Sequence, residues 1–156
     1  MFSLKEIIEI AVNVEENGEK FYRNLSKSVE KDKQKKIFEY LADQEVEHAK
    51  VFKKLGEEFR ADQEDYIQTD EVDAYLRNYI EGKVFPSLDT MLKKVKGMSF
   101  EDIIDYAIQI EKDTIIFYTE ILKLIKNETS RKMVNAIIEQ EKKHVLDLMN
   151  LKENIV

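Results

Sequence analysis

An internal repeat constrains this sequence more than any other feature. When the sequence is shifted by 96 positions, its first third aligns with its last third without a gap, with about a quarter of the positions identical. The sequence has only two histidines, and the repeat aligns them with each other. The matching polar residues include Glu15 with Glu111, Gln44 with Gln140, Glu45 with Glu141, and His48 with His144. The chain is therefore predicted to contain two copies of one structural unit.

Each copy has the pattern of a helical hairpin. Ser3 is followed three residues later by Glu6, and Ser99 by Asp102, which is the spacing of a capping box at the start of a helix. Apolar residues then recur every three or four positions, and a short polar segment divides each copy in two. The predicted helices cover about residues 3–28, 32–55, 99–126 and 129–150.

Composition supports a helical protein and excludes several functions. Four Gly and one Pro are too few for the turns of a many-stranded β fold, and 37% charged residues are typical of long amphipathic helices. A net charge of −7 argues against nucleic acid as a partner, and the absence of Cys excludes disulfides, thiolate metal sites and a thiol nucleophile. Because the sequence shows neither a signal-peptide pattern nor a membrane-spanning apolar run, we expect a cytoplasmic protein without membrane contact.

A segment of about 40 residues separates the two hairpins and is long enough to connect opposite ends of a bundle. Residues 62–65 are predicted to be a solvated loop. Five apolar residues of this segment have helical spacing, namely Val72, Tyr75, Leu76, Tyr79 and Ile80. The predicted fold class is all-α. One domain, residues 1–156, forms a four-helix bundle of two hairpins, about 3–55 and about 99–150, joined by a long crossover, about 56–98.

Each of the four long helices places one carboxylate on its apolar, core-facing stripe, and two of them add a histidine one turn later. Lys20 and Lys112 fall off these stripes, so they do not neutralise the carboxylates. The stripe residues are Glu15, Glu45, His48, Glu111, Glu141 and His144. Taken alone, a Glu-x-x-His pair is usually a solvated helix face, and a lone core histidine is usually a hydrogen-bonded structural residue.

Four carboxylates in one apolar seam favour a metal site, because an unpaired buried carboxylate is strongly destabilising. Two divalent cations would balance the four charges, with the two imidazoles as further ligands. Oxygen-rich ligation with one nitrogen per metal suits iron or manganese better than a structural zinc ion. The residues therefore predict two ions of iron or manganese, and zinc is a further alternative.

At these residues the sequence resembles the ferritin-like di-iron carboxylate superfamily, in particular its rubrerythrin-like branch. That family takes one Glu from each of two helices and a Glu-x-x-His motif from each of the other two. The corresponding residues are Glu15, Glu45-Val46-Glu47-His48, Glu111 and Glu141-Lys142-Lys143-His144. The resemblance implies a ferritin-like bundle in which Glu45 and Glu141 bridge the metals, while Glu15 and Glu111 are terminal ligands.

Three features depart from the rubrerythrin pattern. Thr114 occupies the place of an extra carboxylate that helps the metal shift between redox states. The sequence has no Cys for a rubredoxin domain, so a separate electron donor, such as a rubredoxin-type protein, is expected. Many relatives have Asp where this sequence has Gln44 and Gln140, and these glutamines either orient a ligand or cap the seam.

Two tyrosines lie one heptad after the terminal carboxylates, Tyr22 after Glu15 and Tyr118 after Glu111. We favour a hydrogen bond from each phenol to a ligand carboxylate of the opposite hairpin. The alternatives are a redox relay, and a core aromatic whose hydroxyl is satisfied nearby. Three further carboxylates beside the ligands are predicted to be surface charge, namely Glu16, Glu47 and Glu139.

The resulting prediction is a di-iron oxidoreductase that reduces hydrogen peroxide or O₂. The alternatives are a ferroxidase or iron-handling protein, and a non-catalytic protein in which the metal is structural. The short segment after the fourth helix disfavours a ferritin cage, because it leaves little room for a fifth helix. A homodimer is expected, with Tyr75, Tyr79 and Phe85 of the crossover as exposed aromatic residues.

Overall fold

A computed structural model describes residues 2–59, 66–67, 74–82 and 84–154. Over these residues the backbone forms six helices and one pair of short strands. The elements are β1 (Phe2–Ser3), α1 (Leu4–Ser28), α2 (Asp32–Glu58), β2 (Tyr66–Ile67), α3 (Ala74–Ile80), α4 (Leu88–Val95), α5 (Phe100–Leu124) and α6 (Glu128–Glu153). The four long helices are those predicted from the sequence, and the all-α fold class is confirmed.

Side-chain caps explain where these helices begin. The Ser3 hydroxyl accepts a hydrogen bond from the Glu6 amide, and the Glu6 carboxylate accepts one from the Ser3 amide, which completes the predicted capping box of α1. The hydroxyl of Ser99 accepts from the Asp102 amide at the start of α5. The Asn127 side chain caps α6 in the same way.

The long helices pair as two antiparallel hairpins. Helix α1 packs along α2, and α5 packs along α6, with residues 29–31 and 125–127 as the connections. Connections of this length hold consecutive helices side by side. The sequence patterns did not predict the strand pair, in which Phe2 lies opposite Ile67 in an antiparallel arrangement.

The crossover packs back onto the bundle. Helix α3 contacts α5, and α4 contacts α1, so both short helices lie on the α1–α5 side. Helix α3 confirms the helical spacing predicted for Tyr75 to Ile80, whereas Val72 and residues 62–65 lie outside the described residues.

The prediction that the crossover aromatics are exposed is wrong for the two whose side chains are described. Tyr79 is buried and stacks on Phe117, with the ring centroids 5.0 Å apart. The Phe85 ring is half-buried and lies 5.6 Å from the Phe117 ring. Because the crossover folds onto α5, these rings belong to the core, while the Tyr75 side chain lies outside the described part of the chain.

The core consists of two apolar clusters with a polar layer between them. Along each long helix, the predicted ligands lie between residues of one cluster and residues of the other. The first cluster includes Ile7, Ile8, Phe52, Leu55, Phe117 and Val134, and the second includes Phe21, Leu25, Phe38, Leu41, Ile104 and Leu148. The polar layer is therefore closed by apolar side chains along the bundle axis in both directions.

The outer faces of the bundle carry the charges predicted for them. The ion pairs there include Glu16 with Lys53, Glu47 with Lys50, and Glu139 with Lys142. These three carboxylates point away from the polar layer, as expected from their place off the stripes. None of the described helices combines the length and apolarity needed to cross a membrane.

Candidate metal centre

Each long helix brings one glutamate to the middle of the bundle. The carboxylates come from Glu15 on α1, Glu45 on α2, Glu111 on α5 and Glu141 on α6, and all four side chains are buried. The histidines of α2 and α6 follow their glutamates by three residues, so each pair lies on one face of its helix. All six predicted ligands therefore meet in the polar layer between the two apolar clusters.

The six residues form two overlapping groups. Glu15, Glu45, His48 and Glu141 each offer a ligand atom within 4.8 Å of the others. The same holds for the group of Glu45, Glu111, Glu141 and His144. Two carboxylates belong to both groups, one from α2 and one from α6. This arrangement suits two metal ions that share two bridging carboxylates.

Both histidines direct Nδ1 at the carboxylates. Nδ1 of His48 lies 2.7 Å from Oε1 of Glu141 and 3.5 Å from Oε1 of Glu15. Nδ1 of His144 lies 3.1 Å from Oε2 of Glu141 and 3.3 Å from Oε1 of Glu45. The two imidazole rings are nearly parallel, with centroids 5.6 Å apart. In both hairpins Nδ1 is therefore the candidate ligand atom.

Burial and crowding shift the pKa values of the carboxyl groups. Burial, followed by repulsion from Glu141 and Glu15, holds the pKa of Glu45 well above its ordinary value. Burial and Glu141 raise the pKa of Glu111 to about 8. Burial also opposes ionisation of Glu15, but hydrogen bonds from the Glu45 carboxyl and from His48 outweigh it and lower the pKa of Glu15.

The pKa values of both histidines are raised, which favours the positively charged imidazolium form. Burial alone would lower the pKa of His48, but hydrogen bonds to Glu141 and Glu15 raise it to about 11. Burial likewise opposes protonation of His144, while bonds to Glu111 and Glu141 raise its pKa to about 10. Without metal, the raised pKa values of both imidazoles and of the Glu45 and Glu111 carboxyl groups therefore favour proton uptake by the polar layer.

The donor set fits a pair of metal ions. Oε2 of Glu15 and Oε1 of Glu45 are buried and receive no hydrogen bond from any amide, hydroxyl or ring nitrogen of the described residues. Carboxylate oxygens with free lone pairs beside imidazole nitrogens are ligands for iron or manganese. Two divalent ions would balance four ionised carboxylates and take the place of the protons that balance them otherwise.

Two tyrosines tie the hairpins together at the polar layer. The Tyr22 hydroxyl donates a hydrogen bond to Oε1 of Glu111, and the Tyr118 hydroxyl donates one to Oε1 of Glu15. Each oxygen–oxygen distance is 2.6 Å. Burial and the neighbouring glutamates, first Glu111 and Glu15 respectively, hold both phenol pKa values well above the ordinary value. Each phenol therefore stays protonated and donates to a carboxylate of the opposite hairpin, which is the contact that we favoured from the sequence.

The two glutamines are not equivalent. Oε1 of Gln140 lies 2.5 Å from Nε2 of His48, which orients that ring with Nδ1 toward the carboxylates. Nε2 of His144 is buried and has no hydrogen-bond partner among the described residues, so Gln44 does not hold it in the same way. Of the two roles considered for these glutamines, orientation of a ligand describes Gln140 only.

Gly18 packs against the polar layer, a role that the sequence patterns above did not predict. A Cβ atom at this position would lie 3.1 Å from Oε2 of Glu45, so any larger residue would crowd that carboxylate. The repeat-related residue on α5 is Thr114, which is buried and donates its hydroxyl to the Ile110 carbonyl, 2.8 Å away. A glycine on the apolar stripe inside a long helix was the available signal, because it weakens the helix unless close packing requires it.

A cavity of about 410 Å³ adjoins the polar layer on the side covered by the crossover. Its inner end is formed by Glu45, Glu111, Tyr22, Gly18 and Thr114. Its walls are mostly apolar, and they include Val14, Phe21, Tyr79, Phe85, Met91 and Ile110. The cavity therefore reaches the carboxylates of Glu45 and Glu111, and its walls come mostly from α1, α5 and the crossover.

Comparison with known proteins agrees with this architecture. The rubrerythrin family model matches residues 6–152. A solved structure described as a ferritin-like diiron-carboxylate protein, from Thermotoga maritima, is 33% identical, with a TM-score of 0.81 over 99% of this chain and 97% of that chain. A hypothetical protein from Pyrococcus furiosus, 20% identical, shares the fold with a TM-score of 0.70 over 97% of this chain and 89% of that one. No curated protein matches the sequence. By its sequence and its ferritin-like fold, the chain belongs to the rubrerythrin family.

Proposed function

We propose that this protein is a di-iron oxidoreductase that reduces hydrogen peroxide or O₂. The observation that carries the proposal is the pair of overlapping ligand groups that share Glu45 and Glu141. Family membership and the buried glutamate–histidine cluster fit a site for two metals. Glu15 and His48 would complete the site of one ion, and Glu111 and His144 would complete that of the other.

When bound, two ferrous ions would supply two electrons, which together with two protons convert hydrogen peroxide to two molecules of water. The protein contributes the surroundings of that reaction. Six side chains on two metals leave coordination positions open, and the cavity reaches the carboxylates of Glu45 and Glu111. The apolar clusters exclude bulk water along the bundle axis, while Tyr22 and Tyr118 hold the terminal carboxylates in place.

The oxidised centre must be reduced again after each turnover. The 156 residues contain no Cys, so they include no cysteine-ligated electron carrier. We propose a donor outside them, such as a rubredoxin-type protein. Electron transfer from a reduced rubredoxin would be followed by its optical absorption in the presence of peroxide, with and without this protein.

The proposal is tested by metal content and peroxide consumption of anaerobically purified protein. We expect about two iron ions per chain, and consumption of peroxide by the reduced protein. Glu45→Ala should abolish that consumption, because it removes a carboxylate that both ligand groups share. Glu47→Ala is the matched control, because Glu47 is exposed on the same helix and pairs with Lys50.

Three results would contradict the proposal. Equal peroxide consumption by Glu45→Ala and the unaltered protein would show that the reaction does not use this centre. A 24-subunit particle that accumulates iron would favour the iron-handling alternative. A stable, redox-silent protein that holds zinc and ignores peroxide would favour a structural metal.

A further inference from the structure

The cavity beside the polar layer is much larger than hydrogen peroxide or O₂ requires. Its volume is about 410 Å³, which is the volume of more than ten water molecules at about 30 Å³ each. Each oxidant has two heavy atoms and would leave most of this space empty. The volume instead falls in the range of cavities that bind small organic molecules, about 300–1,000 Å³.

The two ends of the cavity differ in chemistry. Polar groups from Glu45, Glu111 and Tyr22 lie at the inner end. Along the walls, Val14 and Ile110 are half-buried, and the crossover contributes the rings of Tyr79 and Phe85 to the lining. A ligand that matches this distribution has one reactive polar group and an apolar body.

Two small residues, Gly18 and Thr114, keep the inner end open. Gly18 has no side chain, and its Cβ position is 3.1 Å from Oε2 of Glu45. Thr114, at the repeat-related position on α5, is shorter than a glutamate and donates its hydroxyl to its own helix at Ile110. Neither residue therefore projects a charged group into the cavity.

The crossover supplies the apolar wall. Tyr79 and Phe85 pack on Phe117 of α5, and Met91 of α4 is buried against the second core cluster. These contacts hold the wall at the cavity without filling it. The crossover therefore does more than join the hairpins, because it supplies part of the lining of a cavity beside the candidate ligands.

We propose that this cavity binds the apolar part of an organic hydroperoxide, with its peroxide group at the Glu45–Glu111 end. The proposal rests on the function proposed above, since it names the substrate class of that centre. In the reaction the oxygen–oxygen bond breaks, one oxygen leaves as water, and the other stays on carbon as an alcohol. The conversion consumes two protons and the two electrons that the reduced metal pair supplies.

Binding is tested apart from catalysis with cumyl alcohol, the product of cumene hydroperoxide, added to the full chain both without metal and loaded with redox-inert zinc. Titration is followed by the NMR signal of the Met91 methyl group, with the exposed Met149 on α6 as an internal reference. We expect saturable shifts at Met91 only. The signal is read on the unaltered protein, so the test does not depend on any variant folding.

Val14→Phe should fill part of the cavity and weaken alcohol binding about tenfold or more. The same variant should lower the rate with cumene hydroperoxide relative to the rate with hydrogen peroxide by a similar factor. The matched control is Val12→Phe, because Val12 is also half-buried on α1 but lines a separate cavity with Phe52 and Lys53. Both quantities should be unchanged in the control.

Absence of saturable Met91 shifts in the unaltered protein would overturn the proposal. It would also fail if the alcohol binds but a protein active on hydrogen peroxide does not reduce cumene hydroperoxide. A protein that binds the alcohol and reduces neither peroxide would instead contradict the proposed function. The two proposals therefore fail by different measurements.

Discussion

The Tyr22 hydroxyl on α1 donates a hydrogen bond of 2.6 Å to Glu111 on α5, and Tyr118 on α5 donates an equal one to Glu15 on α1. Each hairpin therefore holds a buried carboxylate of the other. Both phenols and both carboxylates are buried, so loss of either hydrogen bond would leave a buried carboxylate oxygen without its donor. The two copies of the repeat depend on each other at the candidate metal centre.

Tyr118→Phe should weaken metal binding while it preserves the aromatic packing. The variant leaves Oε1 of Glu15 without its donor, so we expect about 1–3 kcal/mol lower unfolding free energy and about 10–100-fold lower metal affinity. Urea denaturation and metal titration measure the two effects. Tyr106→Phe on the same helix is the control, since its half-buried ring packs on Phe21, away from the carboxylates. Equal metal affinity in both variants would contradict the role given to Tyr118.

Gly18→Ala should weaken metal binding, whereas Gly56→Ala should stabilise the fold. Both glycines lie inside long helices, where alanine is favoured by up to about 1 kcal/mol. A Cβ at Gly18 would crowd Oε2 of Glu45 at 3.1 Å, whereas a Cβ at Gly56 would make ordinary contact with Ile8 at 3.5 Å. Metal titration should therefore show weaker binding for Gly18→Ala only, and thermal unfolding should show stabilisation for Gly56→Ala. Unchanged metal affinity in Gly18→Ala would refute the packing argument.

Gln140→Leu should lower the metal affinity more than Gln44→Leu does. The amide oxygen of Gln140 accepts from Nε2 of His48, and its removal frees the ring to rotate. His144 has no such partner among the described residues, so Gln44→Leu removes no orienting bond. We expect about 10-fold lower metal affinity for Gln140→Leu and little change for Gln44→Leu, measured by competition with a chelator. Equal losses in the two variants would contradict this asymmetry.

The metal-free protein should lose stability as pH rises. The pKa of Glu111 is raised from 4.5 to about 8, and that of His48 from 6.5 to about 11. These groups bind more protons in the folded than in the unfolded state, so the unfolding free energy falls with increasing pH. The decline begins above the unfolded pKa values and continues until the folded values are passed. Glu15, whose pKa is lowered, acts only at acid pH, where stability falls as pH decreases through its folded pKa.

Urea denaturation of chelator-treated protein at about pH 5.5 and about pH 8.5 measures this slope. Glu111→Gln should flatten it, since the amide does not titrate. Glu101→Gln, on an exposed turn of the same helix, should leave it unchanged. Stability that rises between these two pH values in the unaltered, metal-free protein would contradict the assigned pKa directions.

Much of the fold was predictable because its signals are local or repeated. Ser3 and Ser99 marked helix starts by short-range capping, and the apolar period identified the buried stripes. The repeat aligned Glu45 with Glu141, which pointed to one shared layer. The crossover was harder, because a short apolar segment is compatible with an exposed or a buried position. The sequence therefore predicts an exposed Tyr79, whereas the structure shows its side chain buried and stacked on Phe117.

The sequence by itself determined which residues share a helix face, because the helical period places Glu45 and His48 one turn apart on one stripe. It also determined that four carboxylates lie at core positions, since the repeat imposes the pattern on both hairpins. Only the tertiary structure decided that Gln140 holds His48 while His144 has no matching bond. It also decided that the crossover lines a cavity beside Gly18. These features depend on distances between helices far apart in sequence, which packing of the whole chain sets and local periodicity does not encode.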